Sequence, residues 1–68
     1  MEARYIVRAF YQGLFYVKTY RSYNPTDIIL ELTEYKSSAQ KLELDQASEV
    51  VKLLRQKGFI DLNIEEVK

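Results

Sequence analysis

The sequence has no cysteine and no histidine, and these two absences exclude several classes of site. Without cysteine there is no disulfide and no thiolate ligand, and without histidine the commonest zinc ligand is missing. A chain of 68 residues buries only about 60% of its unfolded surface, so we expect marginal stability. Oligomerisation or a bound partner is the remaining source of extra burial. We predict a single domain over residues 1–68, with no cofactor and no metal.

The sequence also lacks long apolar runs and an excess of either charge. No stretch approaches the roughly 18–20 apolar residues of a membrane-spanning helix, and no signal-peptide pattern opens the chain. We therefore expect a soluble, cytoplasmic protein. The formal net charge is zero, but residues 1–23 carry four basic residues against one acidic, and residues 24–68 carry six against nine. This asymmetry can guide a ligand or the association of two copies.

What the sequence does have is aromatic residues, and these are concentrated near the N-terminus. Residues 4–20 contain four of the six tyrosines and two of the three phenylalanines. Residues 4–11 and 14–21 alternate in polarity and are rich in β-forming side chains, which predicts a β-hairpin. We expect a three-residue loop from Tyr11 to Gly13, with Gly13 in the left-handed third position.

The length of this loop decides which hairpin residues share a face. A three-residue loop pairs Ala9 with Phe15 and Val7 with Val17 on the core side, where Tyr5 also lies. A two-residue turn would shift the register by one and move a whole strand to the other face. We prefer the longer loop because it places the basic residues on one face. The face opposite the core then carries Ile6, Phe10, Leu14, Tyr16 and Tyr20, among Arg4, Arg8 and Lys18.

Residues 27–36 fit either a helix or a strand. A capping signal at residues 24–27 favours a helix. The alternation of Ile28, Leu30 and Leu32 with the residues between them favours a strand, as does the β-branched content. We interpret the segment as a strand.

A fourth strand is predicted to follow this one. Ser37 breaks the alternating pattern, which resumes at Leu42 and Leu44. A hairpin loop near Lys36–Ser38 would place Leu42 opposite Leu32 and Leu44 opposite Leu30.

The last third of the chain predicts a helix and a final strand. Asp45 has the chemistry of an N-cap, and Gly58 that of the C′ residue, with Phe59 folding back on the last turn. The final strand, Ile60–Val67, alternates three apolar residues with polar ones. The apolar face of the helix consists of Ala47, Val50, Val51 and Leu54, with Leu53 at its border; the inward residues of the strand are Ile60, Leu62 and Ile64.

The predicted fold is therefore α+β: a small antiparallel sheet in the order β-β-β-β-α-β, with one helix packed across one face. The other face is left open and carries apolar, aromatic and basic side chains. An uncovered apolar face of this kind typically marks an interaction surface.

Catalysis has few groups to use in this sequence. Histidine and cysteine are absent, and no lysine lies within an apolar run that would activate a serine. Asp61, Asn63 and Glu65 resemble a calcium loop superficially, but the central glycine and the final bidentate glutamate are missing. We predict a protein that is not an enzyme.

The open face favours a protein partner over a nucleic acid. Tyrosine and arginine are enriched at interface hot spots, and self-association would supply the burial that a short chain lacks. The alternative is a single-stranded RNA or DNA binder that uses the same aromatic and basic residues for stacking and phosphate contact. Our candidate partner-binding residues are Arg8, Phe10, Tyr16, Lys18 and Tyr20, with Ile6 and Tyr35 as apolar filler; the expected partner is a second copy in a homodimer.

The second half of the chain combines three features: Ala39 and Leu42 at the end of a strand, a capped helix bearing Ala47 and the Val50-Val51 pair, and a last strand that alternates Ile with acidic residues. In this combination it resembles small α+β proteins encoded by phages and prophages. Leu42 departs from the family pattern, in which an aromatic residue is usual. The resemblance implies a non-catalytic inhibitor or adaptor that binds a host or defence protein, and it carries over no functional residue.

Overall fold

The computed structural model describes residues 3–24 and 26–67. The elements are β1 (Tyr5–Phe10), β2 (Leu14–Asn24), β3 (Asp27–Thr33), a 3-10 turn (Lys36–Ser38), α1 (Leu44–Gln56) and β4 (Ile60–Glu66). The strands pair in the order β3-β2-β1-β4, and every pairing is antiparallel. The predicted α+β class, with one helix packed on an antiparallel sheet, is confirmed.

The β1–β2 hairpin has the predicted three-residue loop. Phe10 lies opposite Leu14, and Ala9 lies opposite Phe15, so the predicted register is confirmed at the turn. The left-handed residue, however, is Gln12, with φ of 55°, and Gly13 does not have a positive φ. The left-handed backbone conformation therefore falls one residue before Gly13, although glycine is the residue that adopts a positive φ most easily.

A β-bulge in β2 reverses the facing of one predicted surface residue. Val17 lies opposite Leu32 and Thr19 lies opposite Glu31, so Lys18 is an extra residue in β2. An extra residue inverts the alternation beyond it. Tyr20 consequently points into the core beside Leu30, and its predicted place on the open face is wrong.

The prediction of a strand rather than a helix is confirmed over Asp27–Thr33, which is β3; residues 34–36 lie beyond its end, and Lys36 begins the 3-10 turn. The connection before it is short, because β2 continues to Asn24; Pro25 lies outside the described residues. The Asn24 side chain accepts a hydrogen bond from the Thr26 amide at 3.0 Å, which closes the turn.

The predicted fourth strand at Leu42 and Leu44 is wrong. The chain instead makes the 3-10 turn and runs between β1 and β2, whose pairing begins at Arg8 and Tyr16. The Gln40 amide donates to Val17 O at 2.9 Å on β2, and Leu42 exchanges hydrogen bonds with Tyr5 on β1. Two neighbouring strands thus take up the hydrogen bonds that the predicted hairpin would have made with β3. We call residues 34–43 the crossover segment.

The N-cap of helix α1 lies two residues before the predicted one. Glu43 is the N-cap and forms a capping box with Gln46, so the prediction of Asp45 is wrong. The reciprocal bonds of a capping box satisfy two backbone donors, which a lone Asp45 cap would not. At the other end Gly58 has φ of 96°, and Phe59 N–H donates to Leu54 O at 3.1 Å. The predicted C-terminal motif is confirmed.

A bulge in β4 changes the facing of Ile60. Arg8 lies opposite Asn63 but Phe10 lies opposite Ile60, so β4 has an extra residue there, where Asp61 has φ of 51°. Ile60 therefore shares a face with Phe10, and its predicted inward orientation is wrong. Leu62 packs against the core as predicted.

The core lies between α1 and the sheet. The predicted helix face is confirmed, and Leu42 joins it from the crossover segment. Phe15 is half-buried at the rim, where its ring lies 6.3 Å from that of Phe59. The fully or largely buried core residues are Val7, Ala9, Val17, Tyr20, Leu42, Ala47, Val50 and Leu54.

Candidate protein-binding surface

The sheet face away from α1, which we call the outer face, is partly covered by the chain itself. Ile6 and Tyr16 lie on this face by strand alternation, yet they are 3% and 9% exposed and are not part of the helix-side core. The 3-10 turn packs against β2, and Lys36 Nζ lies 3.2 Å from Glu65 Oε1 on β4. The crossover segment therefore lies over the middle of the outer face before it passes between β1 and β2.

One end of the outer face remains exposed and apolar. Phe10 on β1 lies opposite Leu14 on β2 and opposite Ile60 on β4, so the three side chains form one row across three strands. They are 39%, 45% and 58% exposed, respectively. We call this row the outer patch.

An ionic cluster borders the outer patch. Arg8 is adjacent to Phe10 on the same face of β1, and its Nη1 lies 3.4 Å from Glu65 Oε2. Glu65 also pairs with Lys36, so one carboxylate forms ion pairs with two cationic side chains. Pairs that are this exposed contribute about 0–1 kcal/mol each to stability. Their main consequence is to fix the position of Arg8 at the border of the patch.

The seven candidate partner-binding residues do not form one surface. Phe10 lies in the outer patch and Arg8 lies at its border. Lys18 is exposed at the bulge of β2, and Tyr35 is exposed on the crossover segment. The remaining three candidates are buried in the chain: Ile6, Tyr16 and Tyr20.

Sequence reasoning missed Ile60 as a member of the exposed surface. The sequence pattern does place Leu14 on the open face, although Leu14 is not among the seven candidate residues. The bulge at Asp61 carries Ile60 to the outer face, and no glycine marks that bulge in the sequence. A left-handed aspartate is tolerated because its short polar side chain can bond locally. That tolerance gives no sequence signal specific enough to predict the bulge.

A second exposed surface lies on the helix side, beside β3. Ile28 and Leu30 of β3 and Leu53 and Lys57 of α1 line a groove of about 300 Å³, which we call the edge groove. The helix lies mainly over β1 and β4, so the inner side of β3 extends beyond it. A larger cavity of about 450 Å³ lies nearer the start of the helix, lined by Tyr20, Ser22, Asp45, Gln46, Ser48 and Glu49.

The described residues hold no group of three or more acidic, His or Cys side chains arranged to bind a metal ion. Within residues 3–24 and 26–67, no helix is long and apolar enough to cross a membrane. No protein-family model, curated protein or solved structure matches this chain.

Proposed function

We propose that this protein is a cytoplasmic, non-catalytic protein-interaction module that self-associates through the outer patch. The observation that carries this proposal is the row formed by Phe10, Leu14 and Ile60, which stays exposed on a face that the crossover segment partly covers. Apolar side chains grouped in this way are more typical of interaction sites than isolated exposed residues are. A large aromatic side chain at the centre of the row is the type of residue that anchors interfaces.

A second copy is the occupant that the molecule's size and charge favour. The molecule measures 31 × 30 × 16 Å, so its broad faces can provide the roughly 800 Å² per partner that a stable interface buries. The formal net charge is zero, so two copies meet without net repulsion. Burial of the outer patch would also add the apolar contact that a 68-residue core lacks.

The biological action proposed for such a module is occlusion or scaffolding. The resemblance to phage-encoded proteins supports an inhibitor or adaptor that binds a host or defence protein stoichiometrically. A dimer presents each binding surface twice, which raises its apparent affinity for a multivalent partner through effective concentration.

The test is the molar mass in solution of two matched variants. Leu14→Gln places an amide in the outer patch, and Leu44→Gln makes the same change at a helix residue of similar exposure, 48% against 45%. We expect a dimer for the wild type and for Leu44→Gln, and a monomer for Leu14→Gln, by light scattering on a sizing column. A monomeric wild type at millimolar concentration, or a dimer in all three proteins, would overturn the proposal.

The nucleic-acid alternative predicts a different result. It depends on Tyr16 and Tyr20 for base stacking, and both are buried. A binder of this class would hold a fluorescent oligothymidylate with an affinity that falls steeply between 50 and about 200 mM salt. Tight, salt-dependent binding that survives Leu14→Gln would favour that alternative over self-association.

A further inference from the structure

The edge strand β3 directs backbone hydrogen-bonding groups away from the sheet. The Tyr20 amide donates to Gln40 Oε1 at 2.7 Å on the β1 side of β2, so it points away from β3. In an antiparallel pair of strands, two opposite residues that are not hydrogen-bonded to each other both direct their N–H and C=O groups away from the other strand. Leu30 lies opposite Tyr20, so its N–H and C=O point to the outer edge of β3. Ile28 and Leu32, two positions away, point the same way.

This edge has few of the features that block pairing with another strand. Natural edges are protected by lysine, proline or a bulge. Neither residue type occurs between Asp27 and Thr33, and the bulges in the β2–β3 pairing place their extra residues in β2. The opposite edge, β4, contains the bulge at Asp61. In the described part of the chain, no strand pairs with the outer edge of β3.

The edge groove lies directly beside these backbone groups. A strand added to β3 would run about 4.8 Å away and would turn every second side chain toward the helix side. Those side chains would enter the groove beside Leu53, next to Ile28 and Leu30. The combination of an open strand edge and an apolar groove against a helix is the arrangement used for strand addition of extended peptides.

The charges around β3 specify the partner further. Asp27 and Glu31 lie on the outer face of β3 and are exposed, whereas Lys57 lies at the groove. A second copy of β3 paired antiparallel about Glu31 would place the two Glu31 side chains opposite each other, and like charges directly opposite on neighbouring strands are destabilising. A strand with basic residues on the outer face and apolar residues on the groove side meets no such repulsion.

We propose that the outer edge of β3 binds an extended segment of a partner protein by strand addition. The segment alternates apolar side chains, which fill the edge groove, with Lys or Arg side chains, which face Asp27 and Glu31. This site is separate from the outer patch and does not depend on self-association.

The test uses a synthetic nine-residue peptide that alternates valine with lysine, and two control peptides. One control replaces lysine with glutamate; the other keeps the sequence but carries N-methyl groups on alternate amides, which block strand pairing. We expect the lysine peptide to bind and to slow amide hydrogen exchange at Leu30. Each control should bind at least about tenfold more weakly, because one repels Asp27 and Glu31 and the other cannot pair.

Protein variants locate the binding. Glu31→Lys should weaken binding of the lysine peptide and strengthen binding of the glutamate peptide, while Glu34→Lys, just beyond β3, serves as the matched control. Leu14→Gln should bind the peptide like the wild type, which separates failure of this site from failure of the outer patch. Equal binding of the N-methylated peptide, no binding of the lysine peptide at millimolar concentration, or protection of Leu30 without peptide would overturn the proposal.

Discussion

At the scale of single residues, positive backbone dihedrals determine several turns of this chain. Gly58 has φ of 96° and ends α1, whereas Gln12 and Asp61 adopt φ of 55° and 51° without being glycine. A residue other than glycine carries a conformational cost of about 1–2 kcal/mol when its φ is positive. The surrounding pairing of β1 with β2 and β4 must therefore stabilise the two non-glycine positions.

Gly58→Ala should destabilise the protein by about 1–2 kcal/mol, because an alanine disfavours a positive φ. The added Cβ would lie 3.9 Å from the Tyr11 ring, an ordinary contact, so the cost is conformational and not steric. Urea unfolding followed by circular dichroism measures the change.

Gly13→Ala is the matched control, since Gly13 does not have a positive φ and its added Cβ would lie 3.8 Å from the Phe15 ring. It should leave stability unchanged or raise it by up to about 1 kcal/mol. Equal destabilisation by the two substitutions would contradict the assignment of left-handed backbone to Gln12.

The residue scale also shows where sequence reasoning succeeds. The hairpin register followed from loop length and alternation, and the end of α1 followed from Gly58. Tyr20 and Ile60 were misplaced because one extra residue in a strand inverts every side chain beyond it. Lys18 and Asp61 lie at those bulges. Neither residue type marks a bulge specifically, so the sequence does not distinguish these positions from ordinary strand positions.

At the scale of elements, the separation of β1 from β2 is the feature that sequence could not predict. Local patterning at Leu42 and Leu44 favours a strand, and it does not specify which strand the segment contacts. Tertiary hydrogen bonds decide this: the bulge at Lys18 leaves Val17 O and the Tyr20 backbone available to Gln40. The crossover segment takes these bonds and carries Leu42 into the core.

Gln40→Ala should destabilise the protein by about 1–3 kcal/mol, because it leaves a part-buried Tyr20 amide without its acceptor. The Gln40 side chain accepts from Tyr20 N at 2.7 Å and donates to Tyr20 O at 3.5 Å. Hydrogen exchange of the Tyr20 amide should accelerate, as measured by NMR.

Gln56→Ala makes the same change at an exposed position near the end of α1 and should alter stability by less than about 0.5 kcal/mol. If Gln40→Ala proved equally mild, the crossover segment would be held by its backbone bonds alone.

At the scale of the whole molecule, the exposed apolar row and the small core have one shared consequence for folding. Ten hydrophobic side chains are buried in the described residues, and Phe10, Leu14 and Ile60 remain outside. If a second copy covers them, folding and association are linked, and the apparent stability depends on protein concentration.

The thermal midpoint of the wild type should therefore rise with concentration. A hundredfold increase changes the free energy of a folded dimer by about 2.7 kcal/mol, which corresponds to a rise of up to about 10 °C for two chains of this size. Differential scanning calorimetry over that range measures the shift. Leu44→Gln should show the same rise and Leu14→Gln none, because the rise requires the outer patch. A constant thermal midpoint in the wild type would mean that the core of one chain suffices for folding. The outer patch would then have to bind a partner other than a second copy of this chain.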